Sequence, residues 1–152
     1  MNIVELNEKN LPEALRVYKK FQAEVCEQTG AALPEDGEIE ESFYGSNGEG
    51  ITYTFLEKGN CFGLVTIDKA VAEIKNLTVD FSLLSKSDLM RVTEFTLKQF
   101  SAITLVFVWV SSLQTELMDF LEEYGFEYTG QQDYLDKAKY IQNYRYVYKR
   151  KK

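Results

Sequence analysis

Hydrophobic and polar positions change period several times along the chain, and each change predicts an element. Ile3 and Val4, in the run Asn2 to Leu6, predict a short first strand. Leu11, Leu15, Tyr18, Phe21, Gln22 and Val25 then recur at the three- and four-residue spacing of one helix face. Asn10 offers an N-cap and Pro12 suits the first turn. This helix is expected to reach about Cys26 and to stop at Thr29-Gly30. Ile39, Phe43 and Tyr44 give a small apolar face to a short second helix in and after the acidic stretch Glu35 to Glu41. Gly45, Gly48 and Gly50 mark the loop after it.

From Ile51 the period becomes two. Ile51 to Phe55, Cys61 to Ile67 and Val71 to Val79 predict three strands, with turns at Lys58-Gly59-Asn60 and Asp68-Lys69-Ala70. Together they form an antiparallel meander. A helical pattern starts at Ser87 or Asp88 and runs through Leu89, Val92, Phe95, Thr96, Gln99 and Phe100. Ile103 to Val110 is an almost unbroken apolar, β-branched run, which predicts a central strand buried on both faces. Leu113, Leu117, Phe120, Leu121 and Tyr124 carry a last helix that Gly125 ends. Phe126 to Tyr128, Gln132 to Leu135 and Tyr144 to Tyr148 read as strand segments. The order is βααβββαβαββ in a single domain over residues 1–152, and the tail Lys149 to Lys152 reads as solvated and frayed.

Composition narrows the chemistry. There are 17 basic and 24 acidic residues, a net charge of -7, which argues against nucleic acid as a partner. The chain has no His, so Ser-His-Asp and Cys-His catalysis and His-ligated metals are excluded, and no metal site is expected. The two cysteines, Cys26 and Cys61, lack CxxC spacing and predict a reduced, cytoplasmic protein. Cys61 has no visible cationic partner and reads as a buried apolar residue rather than a nucleophile. The first residues lack a signal-peptide pattern, and no apolar run approaches the roughly 20 residues of a membrane span, so no membrane partner is expected.

Two segments carry a resemblance. One is Ala72 to Asp80, AEIKNLTVD; the other is Phe120-Leu121-Glu122-Glu123-Tyr124-Gly125-Phe126 followed by Glu127-Tyr128-Thr129-Gly130. With the element order, they resemble the GNAT superfamily of N-acetyltransferases over almost the whole chain. The first is similar to that family's fourth strand running into its cofactor loop, the second to the end of its fourth helix and the next strand. The resemblance implies an α+β fold: a mixed, mostly antiparallel central sheet of about seven strands with helices on both faces. It also implies acetyl-CoA as acyl donor and a primary amine as acceptor, joined by direct attack on the thioester.

The family holds its cofactor with fourth-strand backbone, here Leu77 and Val79, and with a glycine-bearing loop at a helix N-terminus that takes the pyrophosphate. The loop here is Leu84-Ser85-Lys86-Ser87-Asp88-Leu89. Leu84 replaces the basic or amide residue, Ser87 the glycine and Leu89 the small residue, while Asp88 adds a negative charge. Lys86 and the hydroxyls of Ser85 and Ser87 can partly compensate. In the simpler reading, Ser85 or Ser87 caps the helix, Asp88 favours its dipole and Lys86 is solvated.

Gln114 stands where an Asn often begins the fourth helix, Trp109 near a base position on the fifth strand, and Leu121 where many members carry a proton-donating Tyr. Tyr124, one turn later, is the stand-in for that Tyr. The resemblance makes Glu73 the leading general base, against an ordinary outward-facing strand residue, and the N–H of Leu77 or a near neighbour the oxyanion donor. The acidic stretch Glu35 to Glu41 reads either as a rim that steers a cationic amine or as a solvated helix face. Tyr140, Tyr144, Tyr146 and Tyr148 read as sheet packing or pocket lining, and this Tyr-rich last strand offers a surface for a homodimer. The alternative function is a catalytically degenerate GNAT-fold binding or regulatory module, because a fold outlives its chemistry.

Overall fold

The computed structural model describes residues 1–44, 49–136 and 141–150. The elements are β1 (Asn2–Glu5), α1 (Leu11–Thr29), α2 (Asp36–Ser42), β2 (Ile51–Glu57), β3 (Asn60–Asp68), β4 (Glu73–Val79), α3 (Lys86–Lys98), β5 (Leu105–Ser111), α4 (Thr115–Tyr124), β6 (Glu127–Asp136) and β7 (Ile141–Lys149). The order βααβββαβαββ is the one the period changes predict. Gly45, Gly48 and Tyr140 lie outside the described residues.

The seven strands form one sheet in the order β1-β2-β3-β4-β5-β7-β6. Only β4 and β5 run parallel; every other neighbouring pair is antiparallel. Val65, Ile67, Ile74, Val106, Val108 and Val110 bury one face under Leu89, Val92 and Leu97 of α3 and Leu117, Phe120 and Leu121 of α4. Leu64 carries the other face, under Ala14 of α1 and Ile39 and Phe43 in and after α2.

Local chemistry sets most boundaries. The β2–β3 hairpin closes on Lys58 and Gly59, both at positive φ, with Glu57 paired to Asn60. Ser85 caps α3 in a reciprocal box with Asp88, so the helix starts at Lys86 rather than at Ser87 or Asp88. Gly30 caps α1 in the left-handed conformation, and its N–H returns to the Cys26 carbonyl.

Several expectations are corrected. Asn10 sits at the N-cap of α1 but makes no side-chain cap bond. Its Oδ1 accepts the Asn7 N–H at 2.8 Å and its Nδ2 donates to the Glu5 carbonyl and to Thr54 Oγ1, tying the helix to β1 and β2. The strand buried on both faces is β3, where every residue from Cys61 to Asp68 is buried, and not β5. On β5, Val106, Val108 and Val110 are buried while Phe107 and Trp109 are only half-buried. The reason is coverage: α1 packs mainly on β3, and between it and Trp109 of β5 lies a cavity. Of the tail, Lys149 ends β7 and the Arg150 N–H donates to the Thr104 carbonyl and its Nε to the Ile103 carbonyl, while Lys151 and Lys152 lie outside the described residues. β7 lies between β5 and β6 and is paired on both edges.

Candidate functional site

β4 and β5 begin as neighbours and then part. Glu73 pairs with Phe107 and Ile74 with Val108, and the ladder ends there. On its other side β4 carries a bulge: Leu64 pairs with Thr78 and Thr66 with Lys75, so Asn76 and Leu77 together oppose Val65. Asn76 takes a left-handed φ of 52°, a conformation that Asn tolerates better than most residues. Its side chain fixes it there, donating to Thr66 Oγ1 at 3.1 Å and to the Ser42 carbonyl at 3.2 Å, and accepting from the Tyr18 hydroxyl. Close approach on the β3 side needs Gly63, where a Cβ would stand 2.4 Å from the Thr78 carbonyl oxygen.

Two adjoining cavities occupy the opening. One, of about 290 Å³, lies between Arg16 and Lys20 of α1, Val79 and Asp80 at the end of β4, and Gln114. The other, of about 480 Å³, is lined by Tyr18, Glu73, Leu77, Trp109, Gln114 and Asp133. Gln114, Phe21 and Thr78 line both. The Gln114 carboxamide spans the opening: Nε2 donates to the Leu77 carbonyl at 3.1 Å and Oε1 accepts the Ser111 N–H at 3.0 Å.

Glu73 is half-buried and embedded in charge. Its Oε1 lies 3.3 Å from an Arg145 nitrogen and its Oε2 lies 3.9 Å from Lys75 Nζ. Lys75 also pairs at 3.3 Å with Asp68, whose side chain is 1% exposed. The Arg145 guanidinium stacks 3.9 Å over the Phe107 ring, which explains the half-buried face of β5.

The structure thus brings Glu73, Leu77 and Gln114 to one cavity and Val79 and Gln114 to the other. The loop residues divide. Ser85, Lys86 and Ser87 are exposed and Asp88 is half-buried, whereas Leu84 and Leu89 point into the core at 7% and 6% exposure. Tyr124 lies elsewhere. It packs against Phe120, Phe126 and Tyr148 and lines a groove with Glu94 and Lys98 behind α4. Burial raises its pKa above the ordinary tyrosine value. Leu121 is buried in the core.

Cys61 is 1% exposed, donates its thiol to the Gly63 carbonyl and has its pKa pushed up by burial, so it packs as an apolar residue. The acidic stretch forms α2, where Asp36 pairs with Lys19 and Ile39 is buried. Sequence reasoning missed Arg145, which reaches Glu73 across the sheet, and the special role of Asn76. An Asn inside a β-branched run was the available signal for the latter.

Neither protein-family models nor curated protein sequences give a match to this chain. Solved structures do. A protein from Streptococcus mutans UA159 is 16% identical, with a TM-score of 0.74 over 98% of this chain and 99% of that one. An N-acetyltransferase from Staphylococcus aureus Mu50 is 13% identical, with a TM-score of 0.73 over 97% of each chain. A ribosomal-protein-alanine N-acetyltransferase from Brucella melitensis is 11% identical, with a TM-score of 0.71 over 98% of this chain and 99% of that one. The chain has the GNAT N-acetyltransferase fold, the one the sequence resemblance implies.

Proposed function

We propose that this GNAT-fold protein is an N-acyltransferase that moves an acetyl group from acetyl-CoA to a primary amine by direct attack. The observation that carries the reading is the parting of β4 and β5 beside the Asn76-Leu77 bulge, with a cavity on either side of Gln114. A pantetheine arm entering past Val79 brings its thioester to Leu77, and the acceptor approaches from the side of Tyr18, Glu73 and Trp109. The Leu77 N–H stabilises the developing oxyanion, a role that does not depend on side-chain identity. Glu73 accepts the acceptor's proton, directly or through one water, while Arg145 and Lys75 fix its orientation. The amine forms the new C–N bond as the C–S bond breaks, and the CoA thiolate takes its proton from solvent. Tyr124 has no part in this reading, because it lines the groove behind α4.

A second reading, a GNAT-fold binding module without catalysis, is favoured by Leu84 and Leu89, which spend two positions of the phosphate loop on the core. Thermal unfolding with acetyl-CoA separates the two. Ligand at about 100 times its Kd adds roughly 2.7 kcal/mol, which raises the midpoint by about 5 to 10 °C. No shift at millimolar acetyl-CoA removes the acyltransferase reading. Where the shift is present, an amine panel follows, and Glu73→Gln must slow turnover at least tenfold while leaving the acetyl-CoA shift in place.

A further inference from the structure

The loop between β4 and α3 is already filled with this chain's own negative charge. Asp80 Oδ1 accepts the Ser82 N–H at 3.0 Å and the Ser82 hydroxyl at 2.5 Å. The Asp80 backbone carbonyl takes the N–H groups of Leu83 and Leu84 at 3.1 and 3.2 Å. At the start of α3, Asp88 Oδ2 accepts the Ser85 N–H at 3.2 Å and the Ser85 hydroxyl at 3.0 Å. Ser85 Oγ in turn accepts the Asp88 N–H at 3.2 Å. The hydrogen bonds from Ser82 hold the Asp80 carboxyl below the ordinary carboxylate pKa, so it is an anion at neutral pH. Lys86 pairs with Glu123 at 2.8 Å and Lys20 with Asp80 at 3.5 Å. Each of these lysines is thus shared with a carboxylate of this chain.

A diphosphate needs converging N–H donors and positive charge. Here the donors of Ser82, Leu83, Leu84, Ser85 and Asp88 end on acceptors within the chain, two of them carboxylates, which leaves the N–H groups of Lys86 and Ser87 at the start of α3 to face an anion beside the Asp88 charge. The opening between β4 and β5 has charged walls, with Arg16, Lys20, Asp80 and Glu73, but a different kind of group stands between its two cavities. A neutral carboxamide, that of Gln114, engages the Leu77 carbonyl and the Ser111 N–H, and a ligand amide can take its place bond for bond.

We propose that this protein recognises its donor by the amide-bearing pantetheine arm and the thioester, and that the diphosphate end contributes little. The donor class is then S-acyl pantetheines in general, of which acyl-CoA is one member. This rests on the acyl-thioester reading above. The test is calorimetric titration of the full chain with acetyl-CoA and with S-acetyl-pantetheine. The expected Kd values agree within about threefold, instead of the hundredfold or more that a working diphosphate site would separate them by.

The double variant Asp80→Asn/Asp88→Asn keeps acceptor oxygens for Ser82 and Ser85 and removes both charges. It is expected to tighten acetyl-CoA about tenfold and to leave S-acetyl-pantetheine unchanged. Acetyl-CoA binding more than about thirtyfold tighter than S-acetyl-pantetheine to the unaltered chain overturns the proposal, whether or not the variant folds. So does a folded double variant with an unchanged ratio. Failure of both ligands to bind instead removes the acyl-thioester reading itself, and this proposal with it.

Discussion

Gln114 donates its carboxamide N–H to the carbonyl of Leu77, 3.1 Å away, across the gap where β4 and β5 have stopped pairing. With the Ser111 N–H donating to the same carboxamide, one side chain completes the hydrogen bonding that a continuous ladder would have supplied. Gln114→Met keeps the length of the side chain and loses both bonds. The expected cost is about 1 to 2 kcal/mol, read as a lower urea midpoint with an unchanged slope.

Gly63 lets β3 and β4 approach closely beside the bulge. Gly63→Ala places a methyl group against the Thr78 carbonyl oxygen, 2.4 Å away, where backbone and not a flexible side chain must give. A loss of about 2 to 3 kcal/mol is expected, measured as a fall in the thermal midpoint. Gly37→Ala is the control, because nothing lies within 4 Å of a Cβ there.

Asn76 combines a left-handed backbone with side-chain bonds to Thr66 and Ser42. Asn76→Gly keeps the backbone freedom and loses the bonds, for about 1 to 2 kcal/mol. Asn76→Ala loses both and is expected to be about 1 kcal/mol worse still. Equal stabilities of the two variants in urea would remove backbone strain from the account of the bulge.

Tyr146 is buried and donates its hydroxyl to Glu122 at 2.9 Å. Burial, and then that hydrogen bond, push its pKa from 10.0 up to about 12. A raised pKa means that the folded chain keeps a proton the unfolded chain releases. The contribution is therefore complete below pH 10 and is lost as the pH rises toward 12, at most about 3 kcal/mol. Tyr146→Phe should flatten the fall in stability over that interval, as followed by urea unfolding at stepped pH.

The sequence carried the fold because its signals are local. Period changes at Leu11, Ile51, Leu89 and Leu117, the Lys58-Gly59 turn and the Gly30 and Gly125 stops each act within a few residues of themselves, so a linear reading recovers the element order. The AEIKNLTVD segment, through the family it resembles, likewise pointed to the strand that borders the opening and to Glu73 and Leu77, and the start of the fourth helix pointed to Gln114.

Burial and partnership were decided elsewhere. The run Ile103 to Val110 is apolar enough to be buried twice over, yet its second face lies half-open under Arg145, because helix coverage is a property of the whole sheet. The family resemblance offered Tyr124, one turn after Leu121, as a stand-in proton donor, and the structure packs it in an aromatic cluster with Phe126 and Tyr148. Asp80 and Asp88 were visible as charges in a loop, but whether they repel an anion or serve the loop's own N–H groups depends on ångström distances. Periodicity reports which residues seek water. The tertiary structure alone fixes which groups meet across 40 or 70 positions of chain, and the chemistry of the opening between β4 and β5 is made of such meetings: Leu77 with Gln114, and Glu73 with Arg145.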